Sequence, residues 1–154
     1  MSELSIIDYN EDYVASFADL NKAWLKKYFV VEPIDEAIFA NPQQYIIAKG
    51  GQIFFALMNE KVVGTFALIK VEEGMYELSK MAVSEEYRGR NIGNKMLQFC
   101  IEKAGTLNAK KVILYSNTLL APAIHLYKKF GFKEVPLGQV DYKRANIKME
   151  IEIN

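Results

Sequence analysis

An α/β domain built on one mixed sheet is the fold class this sequence predicts, and two patterns predict it. "QIFFALM", "VVGTFALIK" and "MYELSKMAV" are β-rich runs joined by the short turns "NEK" and "EEG", so these strands follow one another antiparallel. A helix with one apolar face then leads into "KKVILYS", a continuous apolar run of the kind found in strands covered on both faces. Met75 to Ser116 therefore reads as strand, helix, parallel strand.

The remaining elements follow in chain order. "LSIIDY" reads as a short strand, and Leu20, Trp24, Leu25 and Tyr28 recur at helical spacing to give a first helix. Pro33 and Pro42 punctuate the next segment, leaving room for a short helix in "DEAIFA". In the crossover helix, Ile92, Met96, Cys100 and Ala104 fall four apart, flanked by Leu97 and Ile101, with Gly105 as the expected stop. "APAIHLYKKFG" gives another amphipathic helix ended by Gly131, and "FKEV" and "NIKMEIEI" give the last strands.

Composition narrows the function classes. The 154 residues hold no low-complexity tract and read as a single domain over 1–154, able to bury roughly two thirds of its unfolded surface. Nineteen basic residues balance nineteen acidic ones, so the overall field gives no reason to expect a nucleic-acid partner. No run approaches the roughly 18 apolar residues of a membrane span, and no basic and apolar leader opens the chain. With Cys100 alone, no internal disulfide can form, and a reducing cytoplasm is the expected compartment. Nothing supplies a metal-ligand set, and His125, alone on a helix, reads as packing or surface.

The most informative stretch is "KMAVSEEYRGRNIGNKMLQFC", a basic, glycine-containing turn between strand and helix. Such a turn exposes backbone N–H groups at the positive end of a helix dipole, where an anion is favoured. Gly89 and Gly93 permit close approach, Asn91 tolerates a left-handed backbone, and Arg88 and Arg90 add charge, so a pyrophosphate fits. A capped turn with solvated arginines is the alternative these residues leave open. "GRNIGNKM" is one residue short between its glycines for a nucleoside triphosphate P-loop and lacks the Lys-Ser or Lys-Thr pair. The G-x-G-x-x-G of a dinucleotide site is also missing.

"RGRNIG" resembles the R/Q-x-x-G-x-G/A signature of the GNAT acetyltransferase superfamily. It follows a similar "MAV" strand end and precedes "NTLLAPAIHLYKKFGF", which is similar to that family's last motif. The likeness covers about Tyr76 to Val135 and is greatest to compact bacterial members, such as the acetyltransferase domains fused to MarR-type regulators. No regulatory DNA-binding domain is expected in this chain. The departure is Asn91, which stands where the signature has its first glycine, at a cost of order 1 kcal/mol if its φ is positive.

The resemblance implies an acetyl-CoA N-acyltransferase fold with a parallel strand pair splayed around the cofactor, acting on a small-molecule or peptide amine. It implies that the backbone of Met81, Ala82 and Val83 pairs with the pantetheine arm, with an N–H near Met81 or Val83 facing the oxyanion. Arg88, Gly89, Arg90, Asn91, Ile92, Gly93 and Asn94 would hold the pyrophosphate. Tyr127 matches the tyrosine that protonates the departing thiolate, although its helical spacing equally suits a core position. Glu77 is the expected base, and an exposed strand glutamate is the alternative. Asn117 would bind a cofactor carbonyl or shape the turn into the next helix. For the acceptor groove, Asn21, Trp24, Tyr28 and Glu32 are spaced three or four apart, and Tyr142 with Arg144 would close the other side. Exposed strand edges make a homodimer an expectation. A non-catalytic CoA-binding or interaction module on the same fold is the rival reading.

Overall fold

The computed structural model describes residues 3–153. Along the chain run β1 (Leu4–Asp8), α1 (Val14–Tyr28), α2 (Pro33–Ala40), β2 (Gln52–Met58), β3 (Lys61–Glu72) and β4 (Met75–Val83). Then come α3 (Ile92–Thr106), β5 (Lys111–Ser116), α4 (Ala121–Lys129), β6 (Lys133–Val135) and β7 (Ile147–Glu152). The strands make one 7-stranded sheet in the order β1-β2-β3-β4-β5-β7-β6. Neighbours are antiparallel except β4 and β5, which the crossover through α3 makes parallel.

Local chemistry sets the boundaries. Asn59 and Glu60 both take positive φ, +53° and +63°, the left-handed pair that closes a two-residue hairpin between β2 and β3. Helix α2 begins at Pro33, two residues ahead of the predicted "DEAIFA", because proline suits the first helical position and Glu32 with Asp35 forms a capping box around it. Gly105 does not end α3. That helix runs on to Thr106, and Asn108, at φ +60°, supplies the left-handed residue after it.

Period-2 alternation divides the core between the two faces of the sheet. Phe54, Phe66, Leu68 and Leu78 pack with Met96, Leu97 and Cys100 of α3. Ile53, Phe55 and Ala67 pack with Phe17 and Leu25 of α1 and Ile38 and Phe39 of α2. Each fully buried large side chain contributes about 1.5–3 kcal/mol, and together they hold the central strands rigidly from both sides.

That rigidity matters because β4 and β5 part. Their pairing is confined to Met75–Lys111, Tyr76–Val112 and Glu77–Ile113. Beyond it β5 stays with β7 as far as Ser116–Ile147, and β4 stays with β3 as far as Val83–Gly64. A cleft opens between them. Within β4, Ser79 faces Ala67 and Ala82 faces Thr65, so β4 carries one extra residue there, a bulge with Lys80 at φ +55°.

Candidate active site

The cleft is a cavity of about 640 Å³, lined by residues 77–83 of β4, by 114–117 at the end of β5, and by parts of α1, α4 and the turn before α3.

On one side lies the turn that the sequence singled out. Gly89 sits at φ +79° and Asn91 at φ +66°, so asparagine does occupy the left-handed position in place of glycine. The Asn94 amide donates to Asn91 Oδ1 at 2.8 Å and steadies it. Asn91 makes no side-chain cap, and the first helical bond runs from Lys95 N–H to the Asn91 carbonyl at 3.2 Å. The N–H groups of Ile92, Gly93 and Asn94 therefore have no acceptor within the helix. A Cβ on Gly89 would meet nothing within 4 Å, and one on Gly93 would meet only Leu126 Cδ2 at 3.7 Å. Packing inside the protein does not require glycine at 93. Its effect is to leave open space above three unpaired donors at the positive end of a 15-residue helix.

These features fit a pyrophosphate, and the β5-facing edge of β4, without a strand partner from Leu78 onward, fits an amide-bearing arm laid along it. Arg88 lines the cavity and donates to the Tyr28 hydroxyl at 3.4 Å. Arg90 lies elsewhere than expected, stacked 5.0 Å from the centre of the Tyr87 ring and outside the cavity lining. Gly93→Glu should fold normally, because the space is open, yet bind CoA at least about tenfold more weakly, because a carboxylate would enter the anion seat. Calorimetry with a melting curve as control checks this. Unchanged affinity in a folded variant would remove the pyrophosphate from the turn.

The opposite side carries the titratable groups. Glu77 occupies the last paired position of β4, at the root of the cleft. Burial pushes its carboxyl up to about 7, against the opposing pull of Lys80 and a Ser79 hydrogen bond, with Asp141 adding to the rise. Tyr127 reaches the cavity from α4, its ring 5.8 Å from that of Phe132. Burial, and secondarily Cys100, pushes its hydroxyl up to about 12, so it stays protonated at every working pH.

Other predicted residues divide. Asn117 lines the cavity, but its amide is engaged within the protein: Nδ2 donates to the Arg144 carbonyl at 2.6 Å and Oδ1 accepts from Leu119 N–H at 2.8 Å. Those bonds hold the turn into α4. Asn21, Trp24 and Tyr28 line the cavity from α1, with the Asn21 amide donating back to the Phe17 carbonyl at 2.9 Å. Glu32 does not join them. Helix α1 stops at Tyr28 and Phe29 is extended, so the spacing that linked Glu32 to the stripe does not continue. Instead Glu32 is buried, accepting from Arg144 Nη1 at 3.0 Å and from the backbone of Lys143 and Arg144. Tyr142 and Arg144 do line the cavity, in the loop before β7.

Sequence reasoning missed Lys80 and Asp35. Asp35 is fully buried and accepts from Lys80 Nζ at 2.7 Å and from both Arg144 terminal nitrogens at 2.7 and 3.0 Å. Lys80 Nζ also donates to the Tyr142 hydroxyl at 3.2 Å. The bulge turns Lys80 to the α2 side, where Phe39 also lies against its ammonium. A lysine without glycine's freedom at φ +55° gave no sign of this, and its partners lie 45 and 62 residues away.

The comparisons bear on this geometry. The profile of the Acetyltransferase (GNAT) family matches residues 13–132. An N-alpha-acetyltransferase of Sulfurisphaera tokodaii is 35% identical over 95 residues, covering 53% of this chain and 56% of that protein. N-acetylaspartate synthetase of Xenopus tropicalis is 36% identical over 100 residues, 60% of this chain and 35% of that one. Mycothiol acetyltransferase of Corynebacterium glutamicum is 29% identical over 84 residues, 54% of this chain and 29% of that one. The chain thus spans between 29% and 56% of the length of these relatives. Among solved structures, a GNAT-family acetyltransferase of Staphylococcus aureus Mu50 superposes with a TM-score of 0.88 at 24% identity, covering 99% of this chain and all of that one. The Salmonella typhimurium protein yncA, solved with its cofactor acetyl-CoA, gives 0.75 at 16% identity, covering 99% of this chain and 95% of that one. Those two likenesses carry the fold alone, and the family profile runs from α1 through the turn before α3 to the start of β6. The chain belongs to the GNAT family of acetyltransferases, which use acetyl-CoA.

Proposed function

We propose that this protein moves the acetyl group of acetyl-CoA to a primary amine by direct attack, with Glu77 as base and Tyr127 as acid. The observation that carries this is the single cavity shared by the Arg88–Asn94 turn, Glu77 and Tyr127. Bound at the turn and along β4, acetyl-CoA supplies an activated thioester. Glu77 takes a proton from the incoming ammonium, either directly or through water, so that the nitrogen lone pair is free to attack. Tyr127 donates its proton to sulfur as the new N–C bond forms and the C–S bond breaks. The nitrogen, cationic once it has attacked, gives its second proton to the Tyr127 phenolate through water, Glu77 returns its own proton to solvent, and the balance closes with an amide, a free thiol and one proton released. A carboxylate held near 7 is matched to this work, because at neutral pH it is already substantially ionised yet still basic.

Glu77→Gln is the test of the base. With an amine acceptor, kcat/KM should rise with pH through about 7 in the natural protein, as Glu77 loses its proton. The variant should lose that limb and roughly ten- to a thousandfold in rate above it. Stability supplies an independent readout. A carboxyl raised from 4.5 to about 7 in the folded state is harmless below pH 4.5 and costs progressively more as the pH rises through 7, up to about 3 kcal/mol. Glu77→Gln should therefore stabilise the protein at pH 8 and do little at pH 4. An unchanged pH–rate profile would move the base elsewhere. A protein that bound CoA yet acetylated no amine would be a binding module.

A further inference from the structure

The wall of the cavity built by α1, β4 and the loop before β7 holds the groups an acceptor would meet, and its charges can be accounted for one by one. Two cations line it, Lys80 and Arg144. Both are already neutralised: Lys80 by Asp35 at 2.7 Å, and Arg144 by Asp35 at 2.7 Å and Glu32 at 3.0 Å. Neither carboxylate is among the lining residues, so each cation is held by a partner set behind the wall. Lys148 lies 5.7 Å from the centre of the Tyr115 ring and outside the lining, and Arg88 stands across the cavity in the turn before α3. What this wall presents is one carboxylate without a salt bridge, Glu77, among Trp24, Phe29, Tyr115 and Tyr142. Outside the lining, exposed Asp141 and the Lys148 ammonium both bear on Glu77, with opposite signs.

We infer that the acceptor is a primary amine with no carboxylate on the neighbouring carbon, a free amine or a peptide amino terminus, and that free amino acids are excluded. The inference rests on the acetyl-transfer reading in taking this wall as the acceptor side. The amine's positive charge is matched by Glu77, and aromatic faces can hold its body and attract its cation. An α-carboxylate would be brought into a partly desolvated space beside Glu77 with no unpaired cation among the residues lining this wall to meet it, and such a charge is expelled. The internal pairing of Lys80 and Arg144 thus works as a specificity device, acting through what it withholds from the cavity.

The test compares phenethylamine, L-phenylalaninamide, a tetrapeptide with amino-terminal phenylalanine and L-phenylalanine, titrated calorimetrically at pH 8 into the protein saturated with CoA. The first three share the neutral neighbour and separate small amines from peptides. Binding of phenethylamine or of either neutral-neighbour derivative roughly a hundredfold tighter than L-phenylalanine is expected. Equal affinities within about threefold, or binding by none of the four, would overturn the inference. Glu32→Gln should narrow the preference about tenfold, because Arg144 then keeps one carboxylate instead of two: the amide oxygen in the place of Oε1 can still accept from Lys143 N–H, while the bonds Oε2 accepts from Arg144 are lost. An unaltered ratio in that variant would overturn the assigned role of the pairing. Acetyl transfer to the probes that bind is measured separately. A probe that binds in the predicted order but is never acetylated would sink the acetyl-transfer reading and leave the binding inference standing.

Discussion

Tyr127→Phe is expected to lower kcat by roughly a hundred- to ten-thousandfold while leaving fold and CoA affinity nearly intact. Only a hydroxyl is removed, and the ring stays to pack on Phe132 and the α3 core. That hydroxyl makes no hydrogen bond among the described residues, so its loss leaves no buried partner unsatisfied. The size of the effect follows from acidity. With the buried phenol near 12 and a solvated thiol near 8.5, a completed transfer from Tyr127 to a water-exposed thiolate would be uphill by about 5 kcal/mol. Tyr127 can help only where the developing thiolate is itself desolvated, which raises its affinity for a proton toward that of the phenol. The cleft between β4 and β5 is such a place. An acetyl donor with a more acidic leaving thiol needs the proton less, so it should recover part of the loss in Tyr127→Phe. Equal slowing with both donors would mean that the hydroxyl positions the cofactor and that water protonates sulfur. A loss of stability without loss of kcat would make Tyr127 a core residue.

The part of this site that was legible in the sequence is the part that is continuous in it. The strand end, the turn and the start of α3 lie within one stretch of chain, and each residue there has a local physical reason. Glycine or asparagine takes positive φ, and orphan donors gather at a helix start. The left-handed Asn91 could be expected from that stretch alone. The pairing of the central strands β2 to β5 was equally legible, because short turns force antiparallel neighbours and the helical crossover into apolar β5 gives a covered parallel one. The acceptor wall was not. Glu32 was grouped with α1 by a spacing that the backbone abandons at Phe29, and its true partner, Arg144, is 112 residues away. Strict alternation would place Lys80 on the face of Leu78, and a bulge that no glycine announces turns it to the other one. Long-range charge pairing of this kind leaves no periodic trace.

Asp35→Ala should cost about 3–5 kcal/mol of folding stability, the largest loss expected from a single truncation outside the hydrophobic core. Asp35 accepts from Lys80, from two nitrogens of Arg144 and from the Glu32 backbone N–H at 2.9 Å, and its side chain is wholly shielded from solvent. Burial alone would raise its pKa, but the hydrogen bonds from Arg144 and then Lys80 outweigh it and hold the carboxyl below the ordinary value. Lys80 fares differently: burial lowers its pKa, and the single carboxylate of Asp35 does not fully compensate. The asymmetry is physical, since Asp35 has two cations and Lys80 one anion. Removing Asp35 therefore strands a buried ammonium and breaks the capping box of α2 at once. A depressed aspartate stabilises the fold above its ordinary pKa of 3.8 and loses that contribution as the pH falls through the lower folded value, so the variant should show a flatter acid limb. Urea unfolding at pH 7 and at pH 3 measures both effects. Adding Lys80→Met should return much of the loss, because the stranded charge is gone and Arg144 keeps Glu32. A double variant as unstable as the sum of its singles would mean that the two side chains act independently, and that the pair does not hold α2 to the strand that carries Glu77.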